Sequence, residues 1–289
     1  MIWQTTRHSI DLSQPRVMGI VNVTPDSFAD GGMHATSAAA LAHCEQLVQD
    51  GADLLDIGGE SSRPSAARVS AADELARVIP VLRGALTLGV PVSVDTCKPE
   101  VMREALALGV DIVNDISALQ APGALDAVAA HPACGVCLMH MKGDPASMQL
   151  DVHYSDVVVE VGAFLAARAH TLAQCGVARE RIVLDPGIGF GKRAEHNLEL
   201  LRRQRELLAL GYPLLVGWSR KSTLGQLTGR AVDDRLAASV AAALATVDRG
   251  ASIVRVHDVA ATVDALKIWH AAGDNRDSVD SLFVQHPIS

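Results

Sequence analysis

The chain has 289 residues, 49% hydrophobic and 20% charged, enough for a large buried core and close to the size of one α/β barrel. The formal net charge of −8, with no basic stripe interleaved with aromatics, argues against a nucleic-acid partner. No apolar run reaches the roughly 18 residues that a membrane-spanning helix needs, and residues 1–16 read as neither signal nor transit peptide, so a cytoplasmic enzyme is the expectation.

In chain order, residues 1–16 read as an extended cap before a buried strand at 17–21. That strand runs into a polar loop with Asn22, Thr24, Asp26, Ser27 and Asp30, and one aromatic, Phe28. A helix is expected over 36–50, where Leu41, Cys44, Leu47 and Val48 share a face, with Gly51 closing it. The second strand, 54–57, leads into GGESSRPSAARVS, and a helix over 71–88 follows. After the third strand, 92–95, Lys98-Pro99-Glu100 opens a helix with proline early and acid in the first turn. The fourth strand, 111–114, precedes Asp115 and a weak helix near 123–131; the fifth, 135–139, leads to His140 and a long helix over 155–175. The sixth, 181–185, ends in PGIGFGK before a helix at 195–210. The seventh, 214–217, meets WSRKS and a helical region at 221–249. The eighth, 253–256, ends at His257 before a last helix at 258–272. Residues 274–289 are polar and aperiodic, a loose tail on a single unit of 1–273.

Eight strand–helix units indicate an α/β fold, a single-domain (β/α)8 TIM barrel; an open doubly wound sheet is the competing architecture. In a barrel the C-terminal strand ends share one mouth. Here they carry Asn22, Glu60 to Arg63, Asp95, Asn114, Met139 with His140, Asp185, Lys221, and Arg255 with His257. Asp95, Asn114 and Asp185 follow apolar runs and lie deep, where a carboxylate needs donors or a cation. A flat heterocycle with amide and amino N–H groups supplies such donors. Lys221 can donate to ring acceptors, and Met139 offers a polarisable surface. Arg63, Arg220, Arg255 and His257 form a cationic group suited to phosphate, beside a helix start at 219–222.

Two motifs are set aside. The glycines of PGIGFGK suggest a nucleotide loop, but a P-loop requires Ser or Thr after the lysine, and Arg193 follows Lys192. The segment reads instead as a flexible turn that lets backbone approach a ligand, with Phe190 lining the site. Cys134 and Cys137 form a CxxC with no second pair or histidines at ligand spacing, and read as buried structural thiols. No Ser/His or Cys/His nucleophile arrangement can be assembled.

The segments MGIVNVTPDSFADGG (18–32), DIGGESSRP (56–64), VSVDT (92–96), IVNDI (112–116), LMHM (138–141), LDPGIGFGK (184–192), VGWSRKS (216–222) and RVHDV (255–259) run in order from end to end. Together they resemble the dihydropteroate synthase family of folate biosynthesis, the target of sulfonamides. The resemblance implies a homodimeric TIM barrel that condenses 7,8-dihydropterin-6-ylmethyl diphosphate with 4-aminobenzoate and releases pyrophosphate. It carries the pterin pocket onto Asp95, Asn114, Met139, Asp185 and Lys221. The diphosphate site falls on Asn22, Arg63, Arg255 and His257, with Mg2+ at Asn22 and Asp30. The aminobenzoate site falls on Phe28, Ser62, Pro64, Phe190 and Ser222, closed over by loops 18–32 and 60–70. The catalytic set is Asp95, Asp185, Lys221, Arg255 and His257. Family members often have threonine where this chain has Ser62, and a small change in loop packing is expected there. The implied route breaks the C–O bond first, with Asp95 and Asp185 stabilising a pterin cation. A pterin-binding methyltransferase domain and a non-catalytic pterin-binding relative are the alternatives; the former has no need of Arg255 and His257 or of the SRKS segment.

Overall fold

Residues 1–16, expected as an extended cap, form an antiparallel hairpin of β1 (Ile2–Gln4) and β2 (Ser9–Asp11). The structure, a computed structural model, describes residues 1–24, 32–61, 68–143, 148 and 152–273, with backbone alone for 32–35; the expected tail at 274–289 lies outside the described residues. Each hairpin strand turns one apolar side chain inward, Trp3 and Ile10, between exposed neighbours, the alternation of a half-buried strand.

The barrel strands are β3 (Arg16–Asn22), β4 (Leu54–Gly58), β5 (Val92–Asp95), β6 (Ile112–Asp115), β7 (Gly135–Met139), β8 (Ile182–Asp185), β9 (Leu215–Val216) and β10 (Ile253–Val256). They are buried almost throughout, as Val- and Ile-rich parallel strands must be when helices cover one side and packed side chains fill the other. Their order is β8-β7-β6-β5-β4-β3-β10-β9, every pairing parallel, and a parallel bridge between Leu184 and Leu214 joins the two ends. The sheet closes on itself through that bridge, so the open doubly wound alternative falls.

The outer helices are α1 (Gly32–Gln49), α2 (Ala71–Ala85), α3 (Pro99–Ala107), α4 (Ala124–Ala129), α5 (Val157–Gln174), α6 (Ala194–Arg202), α7 (Gln204–Leu207), α8 (Ser222–Thr228), α9 (Leu236–Asp248) and α10 (Val259–Gly273). Ser70 caps α2 and Asp156 caps α5 through side-chain oxygens, satisfying otherwise orphaned N–H groups. Two expected helices are broken. The one at 195–210 divides at Arg203, whose guanidinium binds Asp156 and Glu206. The one at 221–249 stops at Gly229, which takes a left-handed φ of 69° and ends α8.

Period-two alternation builds the interior in layers. Met18, Leu54, Ile112, Cys137, Val183, Leu215 and Ile253 pack into one buried cluster with Trp3, Ile10 and Leu12 of the hairpin segment. The hairpin thus plugs the N-terminal end, and the Trp3 Nε1 donates to the Arg181 carbonyl at 2.9 Å. Cys137 lies in this apolar layer, and Cys134 accepts from Arg181 Nη2 at 3.1 Å through its sulfur, so both thiols are structural. Two residues further along the strands come Ile20, Asp56, Asn114, Met139, Asp185 and Arg255. An apolar base therefore supports a polar upper layer at the C-terminal end.

Candidate active site

Arg255 organises that upper layer. Its Nε donates to Asp56 Oδ2 at 2.6 Å and its Nη2 to Asp95 Oδ2 at 2.7 Å, tying β10 to β4 and β5 across the barrel. Asn114 Nδ2 donates to the same Asp56 oxygen at 2.9 Å. Burial works against the charge on Arg255, but Asp56 and Asp95 outweigh it and hold the guanidinium protonated. Burial pushes the Asp95 carboxyl up, Arg255 pulls it back, and Asp56 adds a further upward push. The sequence reading gave Arg255 to phosphate; in the structure two of its nitrogens are held by carboxylates, and Nη1 has no partner among the described residues.

Asp185 and Lys221 face each other's charge at the same end. Burial raises the Asp185 carboxyl to about 6, against a 2.7 Å bond that Gly187 N donates to Oδ1 and the pull of Lys221. Burial lowers the Lys221 ammonium to about 8, helped by Arg255 and opposed by Asp185 and Asp95. Lys221 Nζ also sits 4.1 Å from the centroid of the Phe190 ring, a cation–π contact. Phe190 and Met139 pack with Ile116 and Met148 into a small apolar cluster, with Cys97 and Met141 beside it. Acceptors and one cation on one side, and a sulfur-rich wall on the other, suit a flat ring with polar edges.

The turn after β8 is braced, which corrects the expectation of a flexible approach to a ligand. Lys192 is buried beneath it and donates to the carbonyls of Gly187 at 2.9 Å and Phe190 at 3.0 Å, while contacting His140 Nδ1 at 2.9 Å. Tyr154 donates its hydroxyl to the Gly191 carbonyl at 2.8 Å. Gly187, at φ 67°, has its Cβ position blocked by the His140 carbonyl, and Gly191, at φ 61°, by the Lys142 backbone. These glycines admit neighbouring protein backbone. Burial lowers Lys192 to about 7 and His140 to about 3, the latter helped by Lys192.

The expected cationic group separates. Arg220 is bound to Asp258 through Nε at 3.1 Å and Nη2 at 2.6 Å, and its φ of 57° turns it toward α10, so it is not a free phosphate ligand. His257 Nδ1 lies 3.0 Å from Ser219 Oγ, and burial, with Arg255 and Arg220, lowers the imidazole to about 3; it is neutral rather than cationic. Asn22 is half-buried at the end of β3, and Ser222 is exposed at the start of α8. Arg63, Phe28, Ser62, Pro64 and Asp30 lie outside the described residues, as do residues 25–31 and 62–67 of the two expected closing loops.

Three features were not assigned from sequence. Asp56 is fully buried between Leu55 and Ile57, and a carboxylate inside an apolar strand is the signal that marks it. Lys192 was weighed only as a P-loop lysine. Lys98, just past β5, binds both Glu60 and the buried Glu74, and nothing in their spacing announces the trio.

Residues 18–257 match the family of pterin binding enzymes. The dihydropteroate synthase of Neisseria meningitidis serogroup B is 54% identical over 280 residues, which cover 95% of this chain and 98% of that protein. That of Escherichia coli K12 is 49% identical over 264 residues, covering 91% and 93%. Among solved structures, Xanthomonas albilineans dihydropteroate synthase with 4-aminobenzoic acid superposes with a TM-score of 0.89 at 50% identity, covering 95% of this chain and 99% of that one. The same organism's enzyme in complex with 7,8-dihydropteroate gives 0.85 at 49% identity, covering 94% and 99%.

Proposed function

The chain belongs to the dihydropteroate synthase family of transferases, and from that premise we infer that it condenses 7,8-dihydropterin-6-ylmethyl diphosphate with 4-aminobenzoate to give 7,8-dihydropteroate and pyrophosphate. The convergence of Asp95, Asn114, Asp185 and Lys221 at one end of the barrel carries this reading. Those groups offer acceptors to the ring N–H edge and one donor to its carbonyl or nitrogen edge, while Met139 and Phe190 supply the apolar face. Relatives of similar sequence have been seen with 4-aminobenzoic acid and with 7,8-dihydropteroate, in agreement with it.

The C–O bond of the pterin methylene breaks first in this reading. Ionised Asp95 and Asp185 stabilise the positive charge that spreads into the ring, and the weakly basic arylamine attacks without a general base. Arg255 turns its open Nη1 to the leaving diphosphate. His257 adds a neutral donor: with Nδ1 accepting from Ser219, the proton sits on Nε2. Arg63 completes the anion site. For Mg2+, the described residues hold no cluster of three or more His, Cys, Asp or Glu side chains suited to a metal. An ion held by one amide oxygen, Asn22, with Asp30, substrate oxygens and water fits magnesium's habit of keeping most of its shell outside the protein. Bound there, it would neutralise charge on the departing diphosphate.

The enzyme works as a cytoplasmic homodimer. Its five cysteines are free, which suits a reducing compartment. Leu227, Val232 and Leu236 are exposed along the α8–α9 segment, 57%, 42% and 46%, and offer an apolar face to a second copy. The decisive experiment measures pyrophosphate release from the pterin diphosphate with and without 4-aminobenzoate. Sustained release with both substrates is expected; binding without release would make the chain a pterin-binding protein and overturn the reading.

A further inference from the structure

Asp56 sits in the middle of β4, in register with Ile20 of β3 and Ser93 of β5, two residues before the C-terminal ends of those strands. It is fully buried. Its Oδ2 takes both the Arg255 Nε bond and the Asn114 Nδ2 bond, while Oδ1 has no donor among the described residues. The Asp56 charge offsets that of Arg255, but its bare oxygen carries a desolvation cost that no donor among the described residues repays, so stability alone does not account for it. Its value lies in what it orients.

Two consequences reach the pocket above it. Asn114 gives its amino group to Asp56, so its carbonyl oxygen is the end left to accept from a ligand. Arg255 is anchored at Nε, so its Nη2 reaches only Oδ2 of Asp95, and Asp95 Oδ1 stays without a partner among the described residues. Without the Asp56 charge, the guanidinium is free to close a two-bond fork on Asp95, the geometry it favours. That fork would consume the acceptor the ring needs. The amide of Asn114 would lose its fixed sense at the same time.

We propose that Asp56 is a positioning residue for pterin recognition: through one oxygen it fixes the acceptor face of Asn114 and holds Arg255 so that Asp95 keeps an oxygen for the ring. The inference rests on the pterin-site reading above. It assigns Asp56 no contact with substrate.

The test compares wild type with Asp56→Asn, using the pterin alcohol that lacks the diphosphate as the calorimetric probe. The variant is expected to bind the alcohol about tenfold or more weaker, the scale of a lost charged hydrogen bond, with kcat/KM for the pterin diphosphate falling in parallel. The melting temperature is expected to fall, since a buried pair loses one charge, while KM for 4-aminobenzoate holds, which a merely structural role would not allow. Equal binding of the alcohol by wild type and variant overturns the role of Asp56 and leaves the function intact. Failure of the wild type to bind it overturns the functional reading and this inference with it. Should Asp56→Asn not fold, guanidinium NMR on the wild type decides: a slowly exchanging Arg255 Nε proton, free and with the alcohol bound, is expected, and exchange at the rate of an exposed arginine overturns the proposal.

Discussion

Burial brings Asp185 up to about 6 and Lys221 down to about 8, so the pair proposed to meet the pterin edge is mostly charged only between those values. The signs are opposite. Asp185, raised, loses its charge as pH falls through its value; Lys221, lowered, loses its charge as pH rises through its value. Because kcat/KM reports ionisations of the free enzyme, its profile for the pterin diphosphate is expected to be a bell with an alkaline limb near 8 and an acid limb between 7 and 6. Asp95, raised by burial to about 7, is the first of the two carboxylates to lose its charge as pH falls, and Asp185 follows and steepens the limb. Replacing Lys221 by Arg removes a group that can deprotonate in this range, so the alkaline limb should vanish while the acid limb stays. A profile flat across both limbs would contradict the pairing. Residues such as these were legible because they stand at strand ends. Asp56 was passed over because it lies inside the run Leu54–Gly58 rather than at its end, although a carboxylate among buried apolar neighbours is itself a signal.

The turn between β8 and α6 shows where sequence reading stops at the scale of an element. Three glycines and a lysine in eight residues declare a tight loop, but not what the glycines make room for. The structure answers with the His140 and Lys142 backbones and with Lys192 threaded beneath. A contrast between two glycines tests this. Gly176 also has a positive φ, 81°, but nothing lies within 4 Å of its Cβ position. Gly176→Ala is expected to cost about 1–2 kcal/mol of left-handed strain, with activity unchanged. Gly187→Ala adds a collision with the His140 carbonyl, and the turn must move. Its displacement carries Phe190 and the Gly187 N–H away from Lys221 and Asp185, so kcat/KM is expected to fall by about a hundredfold, as misplacement near 1 Å does. Urea denaturation and steady-state kinetics on the two variants separate the cases. The broken helices at Arg203 and Gly229 were missed for a related reason: apolar periodicity persists across a break that one side-chain bond or one left-handed residue creates.

Across the whole molecule, the eight barrel units could be read because each strand is a solid apolar run followed by a helical period. The hairpin could not, because strands of three residues carry one inward side chain each and leave no period to detect. Yet that hairpin divides the molecule into two ends with separate tasks. Trp3, fully buried, fills the base of the barrel against Met18, Leu54 and Ile253, and its indole N–H satisfies the Arg181 carbonyl. The polar layer with Asp56, Asp95 and Asp185 lies at the opposite end of the same strands. Trp3→Ala should therefore lose stability by about 3–5 kcal/mol, the range for truncating a buried aromatic, seen as a lower urea midpoint with an unchanged slope. Well below the transition, kcat/KM for both substrates should match wild type, since the apolar layer buffers the mouth from the base. A variant as stable as wild type would show that the hairpin merely covers the barrel. A stable fold with lost activity would show that the two ends are coupled through the interior column of Leu54 and Asp56 on β4, where one residue separates the plug from the carboxylate that holds Arg255.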